Sequence, residues 1–163
     1  MKAKLALSIL LVAVLALVGT GCGGDKVTGG GKFTNEVFPN YGNKVTFGFN
    51  AQPLDEPALP GMVKAKGQFQ LIDHTTGMNV HGTFTGTYIV PSEGVSWFSG
   101  TCSIDGEGET YFEITAADDD KSGLGTGDGV YIMIGAFGDP NQVIYAGYLE
   151  GGNIQVHKTK KAK

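Results

Sequence analysis

The sequence predicts an all-β fold, an antiparallel β-sandwich or barrel of about eight strands, preceded by a cleaved lipoprotein signal peptide. Three observations predict it. Beyond residue 22 the apolar side chains recur with a period of two, which puts alternate residues on one face of a strand. Glycine, 27 of 163 residues, falls among these runs, where it punctuates turns. No stretch of the mature chain carries the 3.6-residue period of an amphipathic helix.

The strands follow in order. Val45, Phe47 and Phe49 alternate with Lys44, Thr46, Gly48 and Asn50. Residues 53–62 carry Pro53, Pro57 and Pro60. Proline lacks the N–H that a helix interior or a central strand needs, so this stretch is expected to be neither. Phe69 and Leu71 alternate with Gln68 and Gln70, and Phe84 and Tyr88 alternate with Thr83, Thr85 and Thr87. Phe98, Cys102 and Ile104 share one parity, as do Phe112, Ile114 and Ala116, then Val130, Ile132 and Ile134. Val143, Tyr145 and Leu149 come next, and Ile154 with Val156 closes the series.

Two hairpins can be registered. A three-residue loop at 106–108 sets Ile104 against Thr110, Cys102 against Phe112 and Phe98 against Ala116, with the apolar side chains on one face. Gly108 supplies the left-handed position that such loops need. A second hairpin turns near Gly77, so that Phe69, Leu71 and Phe84 share the buried face.

The N-terminus is a targeting segment. Lys2 and Lys4 precede Leu5–Val18, an uncharged run whose polar side chain is Ser8. A membrane-spanning helix needs ~20 apolar residues, so this run is a signal core. Small residues at Gly19, Thr20 and Gly21 lead to Cys22, an arrangement that resembles a bacterial lipoprotein signal cut before an acylated cysteine. Each acyl chain contributes ~0.8 kcal/mol per buried CH₂, and two or more hold a protein stably on a bilayer. The chain thus divides into a signal peptide at 1–21, lipidated Cys22 with a short tether at 22–27, one all-β domain at 28–158 and a basic tail at 159–163. The expected location is extracytoplasmic, on the cell membrane or outer membrane.

Composition excludes some partners. The net charge of −4 becomes more negative once Lys2 and Lys4 leave with the signal, so no basic face for nucleic acid is expected. With Cys22 acylated, Cys102 is the remaining thiol, and it is expected to behave as a small buried apolar residue.

Several stretches together resemble a known family. They are Thr28-Gly29-Gly30-Gly31-Lys32-Phe33, Val45-Thr46-Phe47-Gly48-Phe49-Asn50, the hairpin from Phe98 to Ala116, Asp128-Gly129-Val130, and Gly151-Gly152-Asn153-Ile154-Gln155-Val156-His157-Lys158. In combination they look like the small secreted bacterial module called the post-choice-of-anchor domain. The resemblance covers most of residues 27–158, and its last stretch is the most specific. It implies an all-β fold and a place in exported, surface-associated proteins, and it implies neither an enzymatic activity nor a ligand. The chain departs from the family pattern at Asp119-Asp120-Lys121-Ser122-Gly123 and in the length of the proline-rich segment 53–62.

Candidate chemistry lies in loops and on one face. Asp118, Asp120 and Ser122, followed by Gly123, match the opening of a calcium loop, with oxygens at alternate positions and glycine at the sixth. The twelfth position is Gly129 rather than a bidentate Glu, with Asp128 one place early, so a full EF-hand is rejected and a looser strand-flanked Ca²⁺ site is the alternative to a solvated hairpin tip. Asp105 and Glu109 face each other in the registered hairpin, where like charges cost stability unless solvent or a cation screens them. His74 and His81 share a parity, but two ligands do not make a zinc site. His157 is expected to make a structural hydrogen bond. Trp97, Tyr111 and Tyr131 have the parity opposite to the core and form a candidate ligand face, where flat rings stack on sugars or dock a partner. The competing expectation is that this face packs beneath another sheet or a loop. No Gly-x-Ser-x-Gly elbow and no serine flanked by His and Asp suggests a nucleophile.

The sequence therefore points to a non-catalytic, lipid-anchored envelope β-module with a structural or surface-binding role. It requires no cofactor, and its partners are the bilayer, through Cys22, and a surface glycan or protein. The alternative is a calcium-dependent binder of glycan or protein that uses the Asp118–Asp128 loop. A secreted hydrolase ranks last.

Overall fold

The structure, a computed structural model, describes residues 26–59, 62–92, 94–119 and 127–157. The signal segment, Cys22, Pro60, Asp120, Ser122 and the basic tail lie outside them. Among the described residues nine strands form one strongly curled, half-barrel antiparallel sheet. They are β1 (Lys26–Thr34), β2 (Lys44–Leu59), β3 (Met62–Asp73), β4 (Asn79–Ser92), β5 (Val95–Ile104), β6 (Glu107–Ala117), β7 (Gly129–Ile134), β8 (Val143–Tyr148) and β9 (Gly151–His157). Their spatial order is β8-β7-β6-β5-β4-β3-β2-β1-β9. Each neighbouring pair from β1 to β8 is thus consecutive in sequence, a meander.

The core fills the concave side. Phe69 stacks on Phe112 at 4.9 Å, Phe84 meets Phe98 edge-on at 4.9 Å, and Phe84 joins Phe112 at 5.3 Å. These rings come from four different strands. Each contributes about 1.5–3 kcal/mol by burial and ties its strand into the curl.

The two ends of the sheet order, β8 and β9, are consecutive in the chain. They act as one long strand that changes partner midway. β8 pairs with β7, and β9 pairs with β1. The switch falls at Leu149, whose N–H bonds the Asp128 carbonyl (2.9 Å), and Glu150, whose N–H bonds the Lys32 carbonyl (2.9 Å). Two gaps remain, and polar side chains fill both. Beside β8, the Asn35 side chain accepts from the Ala146 N–H (2.8 Å) and donates to the Val37 and Asn40 carbonyls (3.0 and 2.9 Å). The Glu36 N–H meets the Ala146 carbonyl (2.8 Å). Beside β9, Asp128 Oδ2 accepts from the Ile154 N–H (2.6 Å) and Asp118 Oδ2 from the Val156 N–H (3.0 Å). A sheet edge that would expose unpaired amides is thereby closed.

Several expectations need correction. A single curled sheet replaces the two-layer sandwich alternative. The strand beyond the eight is β1, hidden by Gly29, Gly30 and Gly31. Those glycines permit close approach: a Cβ on Gly29 would sit 2.5 Å from the Phe49 ring, and one on Gly31 would overlap the Gly151 carbonyl. Residues 53–59, expected to be neither helix nor central strand, continue β2 and pair on one side, with β3, through register shifts between Pro53, Pro57 and Leu59. Pairing with β1 ends at Ala51, so the proline stretch is an edge there, the place in a sheet where proline is tolerated.

The β5–β6 register is also shifted. Cys102 faces Thr110, Gly100 faces Phe112 and Phe98 faces Ile114. A two-residue turn, Asp105 (φ 54) and Gly106 (φ 81), sets Ile104 opposite Glu107, and a bulge follows. Gly108 is left-handed (φ 67), as expected, but within the bulge. Because the shift is by two residues, every side chain keeps its face. Asp105 and Glu109 are consequently not opposed, and Asp105 Oδ1 accepts from the Asn79 N–H (2.8 Å).

Candidate functional site

The convex face of β2–β4 is polar. Register brings Gly48, Gln70 and His81 into one cross-strand row, and Asn50, Gln68 and Thr83 into the next. Together with the backbone of Phe49, Phe69 and Gly82 they line an open groove of about 470 Å³. The groove exists because Gly48 has no side chain: a Cβ built there meets nothing within 4 Å. Asn50 is held in place, its Oδ1 accepting from the Gln68 N–H (3.2 Å). Gln70, His81 and Thr83 are exposed and bond to no other described side chain, so their donors and acceptors are available to a ligand. Amides present both donors and acceptors, and the hydroxyl does the same.

The second row continues around the curl from Thr83 to Thr101 on β5 and Tyr111 on β6. At ~4.8 Å per strand, Asn50 to Tyr111 covers ~19 Å. There it meets the aromatic face expected from sequence. Trp97, Thr115 and Tyr131 form a row across β5, β6 and β7, and Ser99, Glu113 and Met133 form the row beside it. Tyr111 Oη donates to Glu113 Oε2 (3.0 Å). Burial, reinforced by the nearby Glu113 charge and offset in part by a hydrogen bond from Ser99, pushes the Tyr111 phenol up to about 12. Burial and then the Glu113 charge raise Tyr131 as well. Both phenols therefore remain neutral donors in physiological conditions. Trp97, Tyr111 and Tyr131 are half-buried and Ser99, Thr115 and Met133 between them are buried, though the described strands form one sheet with none stacked over this face.

The loop residues have other employment. Asp118 and Asp128 both accept from β9 amides, and the loop residues 120–126 between them lie outside the described residues. Asp128 also takes the Asp119 N–H on its other oxygen (2.9 Å). Among the described residues no group of three His, Cys, Asp or Glu side chains is placed to hold a metal ion. His74 contacts Thr46 Oγ1 (2.9 Å) and His81 lines the groove, so the two histidines have different neighbours. His157 contacts Thr28 Oγ1 (2.9 Å), the structural bond expected. Cys102 is buried, and burial raises its thiol to about 11.

A further surface lies at the end of the sheet opposite Lys26 and His157. Phe38 and Tyr41, in the β1–β2 connection, stack at 5.6 Å, and Phe38 and Phe137 are 82% and 92% exposed.

Sequence reasoning passed over Glu113, Asn35 and Asp73. Glu113 carried a signal: a lone carboxylate in mid-strand, sharing parity with Tyr111. Asn35 and Asp73 carried none, because their partners are distant in sequence. Neither a family model, nor a curated protein, nor a solved structure matches this chain.

Proposed function

We propose that this protein is a non-catalytic, lipid-anchored β-module of the bacterial cell envelope that binds a neutral, hydroxyl-rich ligand, a surface glycan, along the convex face of its sheet. One observation carries the proposal: the groove of Asn50, Gln68, Gln70, His81 and Thr83, open to solvent and built from donor–acceptor side chains. Such groups replace the water around sugar hydroxyls at little cost, and the adjoining Tyr111, Tyr131 and Trp97 offer flat apolar faces. The position of the ends agrees. Lys26 and His157 pair with each other, so both ends of the described chain lie at one end of the sheet, which supports an anchor there that leaves the convex face accessible. The post-choice-of-anchor resemblance supports the same placement in an exported surface protein.

The test is binding of the purified protein to envelope polysaccharides, with and without EDTA. Saturable binding that survives EDTA and falls at least tenfold in Gln70→Ala supports the proposal. Absence of binding to any polysaccharide, or binding unchanged by Gln68→Ala and Gln70→Ala together, refutes it. Binding abolished by EDTA returns the function to a calcium-dependent module.

A further inference from the structure

We propose a second binding site, for an organic ammonium group, on the convex face of β5–β7, with Glu113 as its counter-ion and Tyr111, Tyr131 and Trp97 as its walls. The site shares the rings that adjoin the glycan groove but none of the groove's polar side chains. Glu113 sits in mid-strand on β6, opposite Ser99 on β5 and Met133 on β7. Trp97 and Tyr131 occupy the adjacent row on either side of Thr115, diagonal neighbours of the carboxylate, and Tyr111 lies two residues before it on the same face. Diagonal cross-strand neighbours are ~7–8 Å apart at Cα, within reach of long and aromatic side chains.

Electrostatics selects the ligand. Aromatic faces are negative, so three rings around a carboxylate repel anions and attract cations. Tyr111 donates to Glu113, and the Glu113 charge raises both phenols, so the carboxylate lies near each. No described lysine pairs with Glu113. The ion pair between described residues is Lys44–Glu150, far along the sheet, and Glu113 has the Tyr111 hydroxyl as its partner. A half-buried carboxylate set among rings, bonded to one hydroxyl, has acceptor capacity left for a cation. A bare metal ion is a poor occupant, since Glu113 belongs to no group of three His, Cys, Asp or Glu side chains among the described residues. An ammonium carrying carbon substituents fits all the walls: its charge meets Glu113, its methyl or methylene groups lie on the rings, and Tyr111 keeps the carboxylate oriented. A lysine side chain, an aminated sugar or a choline-like headgroup shares this chemistry.

Trp97 is the single tryptophan of the chain, so selectively excited tryptophan emission reports on these walls. The purified protein is titrated with choline chloride and with Nα-acetyl-lysine amide at constant ionic strength, and with 3,3-dimethylbutanol, the neutral isostere of choline. A saturable change in emission is expected with the cations, weakened at least tenfold in Glu113→Gln, and none with the isostere. No saturable change with either cation overturns the proposal, as does an equal response to the isostere, a comparison that needs only the unmodified protein. An unaltered curve in folded Glu113→Gln does the same.

Discussion

The Tyr145 hydroxyl donates to the Asp73 carboxylate at 2.9 Å across the concave side of the sheet, joining β8 to the end of β3. Asp73 is fully buried, yet it lacks no partner. Asn43 donates to Oδ2 (2.6 Å), and the Thr75 and Thr76 N–H groups donate to Oδ1 (2.9 and 3.2 Å). Burial by itself would raise this carboxyl. The hydrogen bonds from Asn43, Thr75, Tyr145 and Thr76 outweigh it and hold the group below its ordinary value. Burial and the same carboxylate push the Tyr145 phenol up.

Acid stability follows with a definite sign. The folded-state value of Asp73 lies below the unfolded one, so its ionised form stabilises the fold above the unfolded value, ~3.9. That contribution disappears as pH falls through the lower folded-state value. Tyr145→Phe removes one donor to a buried charge and is expected to cost about 1.5–3 kcal/mol at pH 7. Urea titrations check both statements: the penalty of Tyr145→Phe should shrink below pH 4, and a penalty unchanged down to pH 2 contradicts the assignment.

The seam makes a second prediction. Asp118→Ala leaves the Val156 N–H buried without an acceptor, a loss of about 1–3 kcal/mol, whereas Asp118→Asn retains an oxygen and loses less. Hydrogen exchange localises the effect, since the Val156 amide should exchange faster in the alanine variant while β3 and β4 amides change only with global stability. Millimolar calcium should leave the order of the variants unchanged. A calcium-induced rise in melting temperature that Asp118→Asn removes would assign these oxygens to a cation instead.

What the sequence made legible was parity. Phe69, Leu71, Phe84, Phe98, Cys102, Phe112 and Ile114 were assigned to the core by alternation and are buried there, because period two is a local property of a strand. Trp97, Tyr111 and Tyr131 went to the opposite face by the same argument. Register was less legible. Turn type sets it, and the bulge at Gly108 absorbs a residue that a loop count cannot see. β1 was hidden because its glycines answer to Phe49 and Gly151, contacts made by distant chain. The roles of Asp118 and Asp128 depend on β9 switching partners, and no local pattern records that. The polar groove needed Gly48 beside Gln70 and His81, three strands whose register had to be known first.

Cys102 lends itself to a kinetic test. It is 3% exposed, and burial raises its thiol to about 11, so little thiolate forms at pH 8 and no path leads a reagent to it. Labelling by iodoacetamide or a chromogenic disulfide should be slow in the native protein and should accelerate with urea in step with global unfolding. Rapid native labelling would place the thiol outside the core.

Gly48 permits a variant that separates binding from folding. A side chain there points into the groove and meets nothing within 4 Å at its Cβ, so Gly48→Val introduces no clash. Glycine in a strand interior is worse than a β-branched residue, since it loses more backbone entropy and covers less surface, by roughly 0.5–1 kcal/mol. The variant is therefore expected to melt at or above the temperature of the native protein. Its isopropyl group lies beside Gln70 and at the head of the His81 row, where it excludes a hydroxyl-rich ligand from the amides. Glycan affinity should fall at least tenfold while the Trp97 response to choline is retained, because the ammonium site lies across β5–β7. Loss of both responses in a fully folded Gly48→Val protein would merge the two sites into one, and full retention of glycan binding would move the ligand off the groove.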